Sequence, residues 1–141
     1  MKLKFHPQVM NKVNSFLAKE PDVVASYIFG SYSKGKGTPK SDVDMGVLCF
    51  DKSKLNQMGI SLEFDKIIKS PKIDLIICDL SSDPLLLSQI INGNVFYQKS
   101  VSERSLLETR ILKLIEDDGF LRKIKDYYLN KSFEEGIYAD R

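Results

Sequence analysis

Histidine occurs once in the 141 residues, as His6, and cysteine only twice, as Cys49 and Cys78. Zinc sites draw on clustered imidazole and thiolate ligands, so no zinc site is expected. Each cysteine lies in an apolar, strand-like stretch and reads as a buried, reduced thiol. No run approaches the roughly 18 apolar residues of a membrane span, and the start, "MKLKFHPQVMNKV", lacks the apolar core of a secretory signal. A cytoplasmic protein with no membrane partner is expected. An excess of one charge is missing too, since 21 Lys and Arg stand against 19 Asp and Glu. That balance argues against stable nucleic-acid binding through bulk positive charge. Repeats, low-complexity tracts and interdomain linkers are also lacking.

What remains is the composition of one ordinary folded unit, expected to span residues 1–130, with 131–141 as a loosely held tail. Val9, Met10, Val13, Phe16 and Leu17 recur at helical spacing over 8–19, before Pro21. Three β-rich runs follow, at 22–29, 42–50 and 72–80, the last apolar on both faces apart from Asp74 and therefore expected at the centre of a sheet. A helix is predicted over 53–69, weakened by Gly59 and ended by Ser70-Pro71. Asp83-Pro84 reads as a cap and first turn for a helix closing at Asn92-Gly93, and 95–98 as a short edge strand. From Ser102 to about Asn130 the pattern is helical, or two helices broken near Asp118-Gly119, with Leu107, Ile111, Leu114, Phe120, Ile124 and Tyr127 on one stripe. The alternation predicts an α/β or α+β fold, a small sheet flanked by helices.

One stretch carries chemistry: "IFGSYSKGKGTPKSDVDMGVL", residues 28–48. Asp42 and Asp44 are two apart at the start of an apolar strand, so their carboxylates share a face at the rim of a core. Paired anions there repel and lose hydration unless a cation joins them. Asp74, flanked by Ile73 and Leu75 in a strand of the same sheet, adds a third carboxylate. Oxygen-only ligands of this kind suit Mg²⁺ or Mn²⁺, which keep positions open for phosphate. Gly30-Ser31 offers a close backbone approach and a hydroxyl for phosphate oxygens, and Lys34, Lys36 and Lys40 put positive charge nearby. Asp79 and Asp83 read as strand-end and capping residues.

These residues resemble the nucleotidyltransferase superfamily of DNA polymerase β type, whose signature is Gly-Ser, about ten residues, then Asp-x-Asp. Here it stands as Gly30, Ser31, Asp42, Val43 and Asp44, with Ser41 ahead of the first aspartate and Asp74 matching the third carboxylate. The position two after Tyr32, commonly arginine in short members, is Lys34, which keeps the charge and loses the bidentate fork. The resemblance implies a polymerase β-type fold, with Asp42, Asp44 and Asp74 catalytic and metal-binding, and Gly30, Ser31, Lys34 and Ser41 at the nucleotide. At this length the chain is similar to the minimal nucleotidyltransferases, MNT antitoxins paired with HEPN toxins. That likeness implies ATP as substrate, AMP transfer to a tyrosine of a HEPN-domain ribonuclease, and a hetero-oligomer with that toxin. Tyr127, Tyr128 and Tyr138 are candidates for its docking surface. Two other readings stay open: inhibition by occlusion alone, and transfer to a small aminoglycoside-like alcohol.

Overall fold

The computed structural model describes residues 5–30, 42–69, 72–117, 122, 125–127 and 129. Helix α1, Pro7–Ala18, starts at His6, whose imidazole accepts the Gln8 N–H, and buries Val13 and Leu17. Strands β1, Val23–Phe29, and β2, Val43–Cys49, form an antiparallel pair. A 3₁₀ turn at Lys52–Lys54 precedes α2, Gln57–Ile67. The helix predicted from residue 53 therefore begins later, because the Asn56 side chain caps it by accepting the Gly59 N–H at 3.0 Å.

Strand β3, Ile73–Cys78, runs parallel to β2, and α3, Pro84–Ile91, opens on the Asp83 cap. Strand β4, Asn94–Gln98, and α4, Val101–Glu116, complete the described elements. The Ser100 hydroxyl caps α4 by accepting the Glu103 N–H at 3.1 Å and also donates to the Glu103 carboxylate at 3.4 Å. The break expected near Asp118-Gly119, Phe120, Ile124, Tyr128 and the tail 131–141 lie outside the described residues, as does Ser70-Pro71.

The sheet order is β3-β2-β1-β4. β4 is an edge strand, as its length suggested. β3 is an edge strand too, which corrects the central position expected of it. An apolar run reports that both faces of a strand are covered, and α2 on one side and the α3–α4 layer on the other do cover β3. It carries no information about neighbours in the plane of the sheet.

Alternation sorts the side chains into two cores. Val43, Met45, Val47 and Cys49 of β2 pack with α1 and α2, while Ala25, Tyr27 and Phe29 of β1 pack with Leu87 and Ile90 of α3 and Leu107 and Ile111 of α4. A bulge at Val24 separates the pairs Val23↔Cys49 and Ala25↔Leu48, so Val23 joins the α1–α2 core while its neighbours on β1 face the other way. Tyr27, 1% exposed, donates its hydroxyl to Glu108, which also accepts the Arg104 Nε–H at 3.0 Å; Arg104 in turn reaches Gln98 at 3.1 Å. Burial, then the Glu108 charge, raises the Tyr27 phenol above its ordinary range. This network locks α4 to β1 and β4.

Candidate active site

Gly30, Asp42, Asp44 and Asp74 lie at one end of the β1–β2–β3 triple. Phe29 is the cross-strand partner of Asp44, and Asp44 is in register with Asp74. Adjacent strands lie about 4.8 Å apart, so the two carboxylates leave the same sheet face side by side. Gly30 follows Phe29 directly, with φ of 76°, a left-handed conformation that disfavours any residue with a Cβ. Space demands glycine as well: a Cβ there would stand 2.5 Å from Asp44 Oδ2. The backbone of Gly30 is thus pressed against the Asp44 carboxylate. Asp42, one residue before β2, is exposed, as is Asp74, whereas Asp44 is half-buried. Ser31, Lys34, Lys36, Lys40 and Ser41 lie outside the described residues.

Electrostatics single out Asp44. Its carboxyl is held above the usual range, first by loss of hydration, then by the charges of Asp74 and Asp42 and by a hydrogen bond with Asp74. Each cause favours the neutral acid, and a divalent cation between the carboxylates would reverse the balance. Among the described residues, no group of three or more His, Cys, Asp or Glu side chains is already drawn together for a metal ion. The arrangement is a close pair, Asp44 and Asp74, with the exposed Asp42 near enough for its charge to act on Asp44. In charge and donor chemistry, oxygen ligands that repel one another, the residues fit a hard divalent ion.

The opposite end of the same strands holds a different carboxylate. Asp79, just past β3 and buried, accepts the Lys52 N–H at 2.8 Å, the Ser81 N–H at 2.9 Å and the Ser81 hydroxyl at 2.6 Å. Burial pushes its carboxyl up, but these donors prevail and hold it below the usual range. With Asp83 capping α3 through the Leu85 N–H, the two acids read as structural are structural. Missed from sequence was the role of Asn92-Gly93: beyond closing α3, Gly93 lies against Ile28 and Phe29, beside the site. Only three-dimensional proximity distinguishes it from any other helix-ending glycine.

The polymerase beta nucleotidyltransferase family profile matches residues 11–102. Among solved structures, a chain from a toxin–antitoxin crystal structure with AMP-PNP superposes with a TM-score of 0.57 at 20% identity, over 93% of this chain and 95% of that one. A chain of the toxin–antitoxin MntA–HepT gives 0.54 at 17% identity, over 96% and 97%. A chain from tri-AMPylated Shewanella oneidensis HEPN toxin in complex with MNT antitoxin gives 0.52 at 18%, over 94% of both. At such identities the likeness is one of fold. A comparison with curated proteins returns no match. Among the described residues no helix is long and apolar enough to cross a membrane.

Proposed function

The chain belongs to the polymerase beta nucleotidyltransferase family, and on that premise we propose that it is an MNT-type antitoxin that moves AMP from ATP to a tyrosine hydroxyl of a HEPN-domain toxin. The observation that carries the reading is the in-register pair Asp44 and Asp74 beside Gly30. A close carboxylate pair with Asp42 beside it and a left-handed glycine against Asp44 supports binding of a cation and a phosphate chain together. The shared fold of MNT–HEPN complexes, one with AMP-PNP and one with an AMPylated toxin, supports the choice of nucleotide and partner.

Asp42, Asp44 and Asp74 would hold Mg²⁺ or Mn²⁺, which when bound neutralises the carboxylates and the phosphate charge. Gly30 presents backbone at the phosphates, and Ser31, Lys34 and Ser41 are assigned to the same nucleotide. Asp74, exposed at the start of an edge strand, is assigned to accept the proton of the tyrosine hydroxyl, whose ordinary pKa near 10 makes that help necessary. The phenolic oxygen attacks the α-phosphorus in line, the bond to the bridging oxygen of the β-phosphate breaks, and pyrophosphate leaves with that electron pair. Rate in this scheme comes from positioning and charge neutralisation.

Intact-mass measurement of any HEPN-domain protein encoded beside this one, after incubation with the chain and Mg-ATP, tests the proposal. A gain of one or more AMP units, lost with Asp42→Asn, is the expected result. A stable complex without mass gain would replace transfer with occlusion, and the absence of any complex would redirect the search to small alcohols.

A further inference from the structure

Two close approaches on the α3 side of the sheet lie beside the carboxylate site. Ile90, fully buried in α3, lies over Gly46 so tightly that a Cβ on Gly46 would stand 3.0 Å from its Cγ1, Cγ2 and Cδ1 atoms. Gly46 is two residues after Asp44 on the same face of β2. Three residues after Ile90, Gly93 is closer still, since a Cβ there would lie 2.3 Å from the Ile28 carbonyl oxygen and 2.9 Å from Phe29 Cβ. Phe29 is both the cross-strand partner of Asp44 and the residue before Gly30. The segment between the contacts is tied down, with the Asn92 N–H at 3.2 Å and the Asn92 amide at 2.9 Å both donating to the Ser88 carbonyl, and the Gly93 N–H donating to Ile90 at 2.9 Å.

We propose that the end of α3, Ile90 to Gly93, is a positioning brace that touches β1 and β2 beside the site and fixes how Gly30 stands against Asp44. The inference rests on the reading of that site given above, and it extends it to residues that touch neither substrate nor cation. A brace is indicated by where the contacts fall: neither glycine has room for a methyl group, Gly46 is two residues after Asp44, and Gly93 meets Phe29 as the chain enters β4, where Asn94 pairs with Ile28. Close-packed interiors transmit small displacements instead of absorbing them. Gly30 and Asp44 have no slack between them, so lifting α3 alters the meeting point of phosphate and carboxylate.

Gly46→Ala, which presses a methyl group into Ile90, and the double variant Gly46→Ala/Ile90→Ala, which removes the atoms that methyl group meets, test the brace. The expected result for the single variant is a kcat for AMP transfer about 10-fold lower, with KM for ATP changed far less. The double variant should recover most of that loss although its melting temperature is lower still, because it carries a cavity. Activity that follows melting temperature through the series would overturn the brace. Manganese affinity, read from the ion's magnetic resonance signal without any acceptor, provides a second measure: it should weaken in the single variant and recover in the double, and an unchanged affinity together with unchanged kcat overturns the proposal. If the wild-type chain transfers AMP to nothing, the proposed activity fails on its own, and manganese affinity alone then decides for or against the brace.

Discussion

The two ends of the β2–β3 pair both carry acids and treat them in opposite ways. Past the C-terminal end of β3, Asp79 is surrounded by donors, from Lys52 and Ser81, and its charge is stabilised. At the N-terminal end, Asp44 faces Asp74 and Asp42, and its charge is opposed. A folding chain has no use for the second arrangement, which raises the free energy of the native state at neutral pH. The first secures a turn, whereas the second is intelligible as a place kept for a cation that arrives later. The contrast separates a carboxylate whose charge the fold stabilises from one whose charge it opposes.

Substitution gives the sharpest contrast. Asp44→Asn is expected to lower AMP transfer by more than about 100-fold, beyond the 10–100-fold typical of losing only an outer partner of a metal ligand. Its stability to urea should stay level or rise, since a repelling charge is removed. Asp79→Ala should do the reverse, costing about 1–3 kcal/mol of stability because two backbone N–H groups lose their acceptor, with transfer per folded molecule unchanged. Equal destabilisation by both substitutions would break the comparison.

Acid titration of stability separates the two ends more finely. Asp79 has its folded value below its unfolded one, so its contribution is complete above the unfolded carboxylate value near 3.9 and is lost as pH falls through the lower, folded value. Asp44 is raised, so the penalty of its charge is complete well above its folded value and disappears as pH falls through that value toward the unfolded one. Urea midpoints of wild type, Asp79→Asn and Asp44→Asn from pH 7 to 3 should therefore converge on acidification from opposite sides. The smallest effect concerns the thiols. Burial, then the Asp79 charge, pushes Cys49 up to about 12, and burial raises Cys78 as well. Neither should react with a thiol reagent at pH 8 until urea unfolds the chain, and labelling followed by mass measurement checks this.

Much of this was legible in order and little of it in depth. Gly30, Asp42, Asp44 and Asp74 stood out because their types and spacing conflict with an apolar strand, and a local conflict of that kind is visible without coordinates. The Asp83 cap and the buried cysteines were equally readable, being properties of single positions and their neighbours. The edge position of β3 was not, because lateral neighbours in a sheet are set by tertiary pairing that a one-dimensional pattern does not encode. Nor was the pressure of Ile90 and Gly93 on the strands. A glycine that ends a helix and a glycine that lies against a carbonyl are written with the same letter.

The register of Asp44 with Asp74 also has a consequence in time. β1 and β2 carry Gly30 and Asp44 and pair as antiparallel neighbours, but Asp74 arrives only after α2 has crossed over and β3 has docked in parallel. Parallel pairing across a long connection is slow to close, and synthesis delivers the later residues at about 5–20 per second. For that interval the growing chain holds two of its three acids and no second strand to complete the pair. The Asp44–Asp74 pair is thus the last part of the site to form, and it exists only when β3 is in place.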